Sequence, residues 1–372
     1  WKEGKPDPAI VRQAVLGDAA AIEALLAQAK RLKFDADRCV RTTPLCAVSC
    51  PHSLSADAIA RLCKANNISF IDLEFPPTPA SLYSTPSKRG DENLVTWRRP
   101  TDFMAQPGVI FEGGITPTDI RQGSLGDCWL MCALAALTEF PELIEDLFVL
   151  ADGSKQPLTS PQGVYHVRLC HNGHWQWFRL DDWVPCSPKA GPLYSKAHGN
   201  ELWVVLMEKA FAKANGSYEA LEGGFAYEAM MDLTGCPCTR LYLDREPTTK
   251  MELFDVLLKY DTLGYLMSCS TPGEDTWSHM GTVPSGGPGL VTGHAYTLLQ
   301  ARRTSGGDRL LQLRNPWGKF EWNGAWSDES PLWTDAIRRE LGVAPSTVAD
   351  GLFWMAYDDF IKYFTAVNVC RL

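Results

Sequence analysis

The chain has 372 residues, of which 45% are hydrophobic and 21% charged, a composition typical of folded globular proteins rather than disordered or fibrous ones. Its net charge of −9 argues against a general nucleic-acid binder, which carries a basic surface. The longest nearly apolar run, Cys128–Leu137, is too short to cross a bilayer. The charge and the short apolar run therefore predict no nucleic-acid partner and no transmembrane segment. Because the chain begins at Trp1 without a leader, we expect it to be part of a longer multidomain protein.

Residues 1–74 are predicted to form a short helical segment of unknown role. Apolar residues recur at helical spacing over residues 10–34, and Ser55 is a candidate cap for a second helix ending at residue 66. Three prolines over residues 75–79 stiffen the chain after this segment. The first predicted domain boundary therefore lies there.

The twelve cysteines are scattered and show no disulfide framework, which is typical of a reducing compartment. Cys236 and Cys238 are one residue too close for a redox CxxC motif. A zinc site in the N-terminal segment is an alternative, although its four candidate ligands lack the usual spacing. These residues are Cys46, Cys50, His52 and Cys63.

From residue 97 onward the pattern predicts one large, densely packed unit. Asn200 is a candidate helix cap, and Gly223 with Gly224 could form a hinge. The turn at Asn172 and Gly173 should join two strands. Helices are predicted at residues 128–140, 202–214 and 251–260. Strands are predicted at residues 164–170, 175–184, 295–301 and 309–314.

The last two strands flank a turn at residues 304–308, and this hairpin brings two polar residues together. His294 and Asn315 are equidistant from residue 304.5, so they should face each other across the antiparallel pair. A histidine oriented by an amide oxygen is the base half of a Cys-His-Asn triad. The alternative is an ordinary polar pair at a strand end.

Cys128 is the candidate nucleophile because it opens the buried helix. The positive end of the helix dipole and the unpaired N–H groups favour a thiolate at this position. The alternative is a core cysteine, which is how we interpret Cys132 on the same helix. Gln122, six residues before Cys128, could join the Cys128 N–H as an oxyanion-hole donor.

Taken together, three motifs resemble the catalytic core of the calpains, which are calcium-dependent, papain-like cysteine endopeptidases of the cell interior. The motifs are QGSLGDCWL at residues 122–130, GHAY at 293–296 and RNPWG at 314–318. The resemblance extends over residues 75–372. It implies an α+β, papain-like fold with two lobes: a helical cysteine lobe at 75–222 and a β-rich histidine/asparagine lobe at 223–372.

The resemblance also implies a role for each matching residue. Cys128 matches the nucleophile, His294 the general base and acid, and Asn315 the amide that orients the histidine. Gln122 matches the oxyanion-hole donor. The substrate cleft is expected to include Trp317 and Gly293.

Two calcium sites are implied in the same way. The first-lobe ligands would be the carboxylates of Asp119 and Glu201 and the carbonyls of Glu112 and Gly114. The second-lobe ligands would be Glu321, Asp328, Asp350 and the carbonyl of Val348. Leu352 occupies a position where conventional members carry a carboxylate, so the second site should be weaker, completed by water, or absent.

The resemblance thus predicts a cytoplasmic, calcium-dependent cysteine endopeptidase that performs limited proteolysis of protein substrates. Two alternatives remain. The same triad could transfer acyl groups to amines, or the chain could be a catalytically silent, calpain-like regulatory or binding module. All three triad residues are present, which argues against the silent module.

Overall fold

The structure is a computed structural model, and it describes these parts of the chain: residues 9, 24, 46–47, 56–65, 69–72, 74–84, 95–150, 152–188, 190–196, 198–243, 250–273, 287–344 and 350–372. The predicted helix at 10–34 falls almost entirely outside them, as do Cys50 and His52 of the alternative zinc site. No helix in the described ranges combines the length and apolar character that a membrane crossing requires.

Two compact units divide the chain. The first comprises Trp1–Gly114, Glu145–Leu169 and Trp175–Leu221, and the second comprises Ile115–Ile144, Cys170–His174 and Glu222–Leu372. The last boundary between the two units along the chain lies between Leu221 and Glu222. The helix that begins at Cys128 belongs to the same unit as residues 222–372. The lobes expected at 75–222 and 223–372 stay a prediction.

The first unit contains short paired strands and one long helix. Strands β1 (Cys46–Ala47) and β2 (Phe70–Ile71) run parallel, whereas β3 (Thr96–Arg98) and β6 (Val184–Cys186) run antiparallel. Its helices are α1 (Ala56–Ala65), α2 (Pro79–Leu82) and α5 (Trp203–Asn215). Helix α1 confirms the helix predicted from Ser55.

Helix α5 confirms the predicted helix at 202–214, but the predicted cap is wrong. Leu202 is the N-cap residue and makes no side-chain capping bond. The Leu202 N–H instead donates to the carbonyl of Val109 at 2.8 Å, so backbone from another segment satisfies this end of the helix. Asn200 lies two residues too early, and its amide nitrogen donates to Gln106 Oε1 at 3.2 Å.

The hairpin of β4 (Tyr165–His171) and β5 (His174–Leu180) turns at the predicted residues. Asn172 and Gly173 have φ angles of 54° and 76°, which a tight hairpin turn requires. The strand predicted to reach residue 184 is too long. Asp181 ends it, because its carboxylate accepts the backbone N–H of Trp183 at 2.9 Å.

The second unit is built on a six-stranded antiparallel sheet in the order β11-β10-β9-β8-β12-β7. The mixture of helices and antiparallel sheets in the chain confirms the α+β class. The strands are β7 (Cys238–Tyr242), β8 (Leu266–Ser270), β9 (Ala295–Arg303), β10 (Arg309–Arg314), β11 (Leu352–Ala356) and β12 (Ala366–Cys370).

Helices cover this sheet and bury its apolar side chains. They are α3 (Cys128–Leu137), α6 (Ala226–Thr234), α7 (Lys250–Thr262) and α9 (Tyr357–Tyr363), with α8 (Asp335–Leu341) packed beside Leu310 and Trp354. The short helix α4 (Pro141–Glu145) follows α3 in the chain. Phe254 of α7, Tyr296 of β9 and Phe360 of α9 meet in one core cluster. Burying each such aromatic side chain contributes about 2–3 kcal/mol, so this core fixes the strands that carry the candidate site.

Candidate active site

Cys128 is the first residue of helix α3, as predicted, and all ten residues of the helix are buried. The helix ends at Leu137 rather than at residue 140. Thr297 of β9 anchors it, because the Thr297 hydroxyl donates to the carbonyl of Cys132 at 3.0 Å. Gly224 allows the helix start to pack closely, since a Cβ there would lie 2.5 Å from the indole of Trp129.

The two cysteines of α3 differ in their surroundings. Cys128 keeps 8% exposure at the helix start, whereas Cys132 is fully buried. Burial raises the pKa of the Cys132 thiol well above its usual value, and the neighbouring Cys128 adds to this shift. Cys132 is therefore held as a neutral thiol, and of the two only Cys128 occupies the start of the helix.

His294 immediately precedes β9 and is held through its backbone. The His294 N–H donates to the hydroxyl of Thr271 at 3.0 Å, and the Thr271 N–H donates to the His294 carbonyl at 3.0 Å. Gly293 before it has a φ of 61° and donates its N–H to the Pro272 carbonyl at 2.9 Å. This left-handed residue turns the chain so that His294 enters the sheet in a fixed position.

The imidazole of His294 contacts Asn315, which confirms that the hairpin brings these residues together. His294 Nε2 lies 3.0 Å from Asn315 Oδ1. The same oxygen accepts the N–H of Trp317 at 3.0 Å, and the Asn315 amide nitrogen donates to the Phe320 carbonyl at 3.0 Å. These bonds fix the amide with its oxygen towards the ring. Nε2 must then carry the proton, which leaves Nδ1 as the basic nitrogen.

The register of this hairpin differs from the prediction. Arg309 pairs with Arg303, and an irregularity between Gln312 and Leu313 shifts the later pairs by one residue. His294 and Asn315 therefore meet diagonally rather than directly opposite each other. A β-bulge of this kind changes where a side chain points, and sequence spacing does not reveal it.

Aromatic rings surround the imidazole. The Trp317 ring lies 4.8 Å from the His294 ring, and the Tyr296 ring packs edge-on at 5.1 Å. Burial raises the pKa of Tyr296, and Cys128 is among the thiols that add to this shift.

Two bonds tie the segment of Gln122 to the strand end that carries Asn315. The Gln122 N–H donates to the Pro316 carbonyl at 3.2 Å, and Arg314 Nη2 donates to the Ile120 carbonyl at 2.9 Å. The Gln122 side-chain amide donates one N–H to the Leu125 carbonyl at 2.6 Å. An amide nitrogen has two such hydrogens, so one is left for another acceptor.

Arg314 is a site residue that sequence reasoning missed. It is only 1% exposed, and burial lowers its pKa to about 10. Its position beside Asn315 in the RNPWG motif was visible, but nothing in the local sequence indicated a buried cation. The bond to Ile120 shows its role, which is to join two segments of the site.

The expected first-lobe calcium ligands are found in both units. In the first unit, Glu201 is buried and accepts the N–H of Glu112 at 2.6 Å. Gly114, whose carbonyl is the other backbone candidate, has a φ of 109°. In the second unit, Asp119 is buried and accepts both the N–H and the hydroxyl of Thr116, at 2.7 and 2.9 Å.

The expected second-lobe carboxylates lie near one another in the second unit. Burial raises the pKa of Glu321, and Asp328 and Asp350 raise it further. Burial and then Asp350 likewise raise the pKa of Asp328. Glu321 and Asp328 also line a cavity of about 650 Å³. Oxygen donors that repel one another fit a hard cation, although Leu352 at the start of β11 adds none. Val348 lies outside the described residues.

The chain is similar in sequence to calpain-type cysteine proteases. A family model described as "Calpain family cysteine protease" matches residues 70–371. The calpain-type cysteine protease DEK1 of Arabidopsis thaliana is 38% identical over 320 residues, which is 82% of this chain and 14% of that protein. Calpain-8 of Mus musculus is 35% identical over 85% of the chain and 44% of its own length. The calpain-1 catalytic subunit of Homo sapiens is 35% identical over 83% of the chain and 43% of its own length.

Proposed function

Because the chain belongs to the calpain family of cysteine proteases, we propose that it is the catalytic part of a calcium-dependent endopeptidase. The observation that carries this proposal is the pair of His294 and Asn315, in which Nε2 is held by Asn315 Oδ1 at 3.0 Å. The chain spans less than half of each relative named above, so the activity of the whole protein is part of the proposal.

In the proposed reaction, the Cys128 thiol gives its proton to Nδ1 of His294, because Nε2 is occupied by Asn315. The thiolate attacks the carbonyl carbon of a peptide bond. The Cys128 N–H and the second N–H of the Gln122 amide stabilise the negative oxygen that forms. His294 then protonates the leaving amine.

The second half of the reaction releases the enzyme. His294 takes a proton from water, and the resulting nucleophile attacks the thioester carbon. The carbon–sulfur bond breaks, the carboxylic acid leaves, and Cys128 recovers its proton from His294. The Trp317 ring packs against the imidazole at 4.8 Å, tilted by 56°, and helps to keep this buried ring in one orientation.

Calpains are generally calcium-regulated, and we propose two calcium sites in this chain. Asp119 and Glu201, with the carbonyls of Glu112 and Gly114, would hold the first ion. Glu321, Asp328, Asp350 and the Val348 carbonyl would hold the second. A bound cation would neutralise carboxylates that otherwise raise one another's pKa, and it would fix the segments that carry them.

We propose exposed, flexible segments of intracellular proteins as substrates, because a protease cleft takes extended chain. A reducing setting is supported by the scattered spacing of the cysteines, which shows no disulfide framework. We further propose that the chain works within a longer protein, as the lengths of its relatives suggest. Cell fractionation with an antibody to this chain tests the location, and recovery only from the extracellular medium would contradict it.

Casein digestion tests the proposed activity. Purified chain is assayed with excess calcium or excess chelator, beside Cys128→Ala and the matched variant Cys132→Ala from the same helix. We expect new amino termini only with calcium, loss with Cys128→Ala, and retention with Cys132→Ala. Isopeptide cross-links without new termini would identify an acyl transferase instead. No product from a folded, calcium-loaded chain would identify a silent module.

A further inference from the structure

The outer edge of the sheet in the second unit carries two cysteines on neighbouring strands. Strand β7 is the last strand of the sheet and pairs only with β12 within the described sheet. In the register of this pair, Cys238 lies directly opposite Cys370. Both belong to the second unit, and both are free thiols.

The hydrogen-bond pattern shows which kind of cross-strand pair this is. The Arg371 N–H donates to the Pro237 carbonyl at 3.1 Å, and at the other end the Leu243 N–H donates to the Thr365 carbonyl at 2.9 Å. Hydrogen-bonded and non-hydrogen-bonded pairs alternate along an antiparallel ladder. Counting from either end, Cys238 and Cys370 form a non-hydrogen-bonded pair.

This type of pair has the geometry of a disulfide. Opposed Cα atoms in non-hydrogen-bonded pairs lie about 4.5 Å apart, and their side chains approach each other more closely than in the other type. Disulfides span Cα distances of roughly 4.4–6.8 Å. The backbone of β7 and β12 therefore need not move much for the two sulfur atoms to bond.

The side chains already interact as thiols. A hydrogen bond from Cys238 lowers the pKa of Cys370. The hydroxyl of Thr234, which lies 3.4 Å from Cys370 Sγ, lowers this pKa further. The same bond, followed by burial, raises the pKa of Cys238. Cys370 is buried, whereas Cys238 is half-buried and therefore partly accessible. The two thiols thus lie close to each other, and Cys238 is on the more open side of the pair.

We propose that Cys238 and Cys370 form a reversible disulfide when the chain meets a low-molecular-weight disulfide such as oxidised glutathione. One cysteine thiolate attacks the glutathione disulfide, forms a mixed disulfide and releases one glutathione. The thiolate of the other cysteine then attacks the protein sulfur and releases the second glutathione. Two electrons pass from the two protein thiols to the reagent, which is reduced to two glutathione molecules.

The bond would fasten the edge of the sheet. It joins two residues about 130 positions apart, so it restricts the unfolded chain strongly. The bond also fixes the segment that follows helix α6, and helix α6 itself packs against α3. The proposal rests on the strand register and not on proteolysis, so it survives or fails independently of the proposed function.

Thiol mapping tests the site in the full 372-residue chain, in a Cys128→Ala background that removes the proposed nucleophile. The protein is treated with oxidised glutathione, its remaining thiols are blocked with N-ethylmaleimide, and its peptides are analysed by mass spectrometry. We expect a linked peptide pair containing residues 238 and 370. Cys238→Ser and Cys370→Ser should each abolish it. The matched variant Cys236→Ser, two residues away and also half-buried, should retain it.

Thermal unfolding supplies an independent readout. Oxidation should raise the unfolding midpoint by several degrees, dithiothreitol should reverse the increase, and Cys238→Ser should prevent it. Linkage of Cys370 to Cys236 with equal yield would overturn the proposal. So would a folded, oxidised chain in which both thiols remain open to N-ethylmaleimide after unfolding.

Discussion

Asn315→Ala removes the group that orients His294, and its cost can be worked out from three hydrogen bonds. The amide oxygen accepts from His294 Nε2 and from the Trp317 N–H, each at 3.0 Å, and the amide nitrogen donates to the Phe320 carbonyl at 3.0 Å. Each hydrogen bond contributes about 1 kcal/mol net. We therefore expect a loss of about 3 kcal/mol in the free energy of unfolding.

The effect on catalysis should be smaller than that of removing His294 itself. Without Asn315 the imidazole loses its fixed tautomer, but it still packs against Tyr296 at 5.1 Å and Trp317 at 4.8 Å. We expect kcat/KM to fall about 100-fold, which is about 2.7 kcal/mol. His294→Ala removes both proton transfers and should cost about 10⁴-fold.

Steady-state kinetics at several pH values separate orientation from folding. The wild type should show a bell-shaped dependence of kcat/KM on pH, whose limbs report the coupled thiol and imidazole. Asn315→Asp keeps the acceptor and adds a negative charge beside the ring. This charge favours the imidazolium, so the alkaline limb should move to higher pH.

Asn368→Ala is the matched control. Asn368 is a buried asparagine of β12 whose amide nitrogen donates to Ser268 Oγ at 3.0 Å, away from the imidazole. Its replacement should lower stability without moving either pH limb. Equal losses for Asn315→Ala and His294→Ala in the folded protein, or an unmoved limb in Asn315→Asp, would refute the role assigned to Asn315.

Three further predictions concern the surroundings of the site and the other unit. Gly351→Ala should lower the free energy of unfolding in urea by about 2 kcal/mol or more, because φ is 88° and the new Cβ would lie 2.5 Å from the backbone carbonyl oxygen of Asn315. An unchanged free energy of unfolding would contradict this prediction. Burial lowers the pKa of His166 to about 4, so the unfolded state binds more protons between pH 6.5 and 4, and stability present above pH 6.5 is lost as the pH falls. His166→Gln should remove about 3 kcal/mol of that loss, measured by denaturation across this range, and an unchanged slope would contradict the assignment. Asp119→Ala should raise the calcium needed for activity more than Asp350→Ala does, because Leu352 weakens the second site, and calorimetry showing two equal binding events would contradict it.

Local patterns were sufficient for much of the site. The apolar run after Cys128 predicts a buried helix with the thiol at its start, and the structure has it there. Two strands around a polar turn predict a hairpin, and this places His294 next to Asn315. These inferences succeed because helical periodicity, strand pairing and turn chemistry depend on residues close together in the chain.

Other features depend on segments that are distant in sequence. Asn200 has the chemistry of a cap, yet backbone from residues 109–110 satisfies the helix start instead. The β9–β10 hairpin pairs Arg309 with Arg303 instead of centring on residue 304.5, so the contact between His294 and Asn315 is diagonal. Arg314 becomes a buried cation because its hydrogen bond goes to Ile120, nearly 200 residues earlier. These outcomes are set by hydrogen bonds and strand pairing in the folded unit, which the local sequence alone does not show.

Cys238 shows most clearly the difference between what the local sequence predicts and what strand pairing decides. Its nearest cysteine in the chain is Cys236, and that spacing argues against redox chemistry. The antiparallel register instead places Cys238 opposite Cys370, about 130 residues away. Spacing along the chain describes local chemistry, but contacts across a sheet are set by pairing, which depends on the packing of the whole unit.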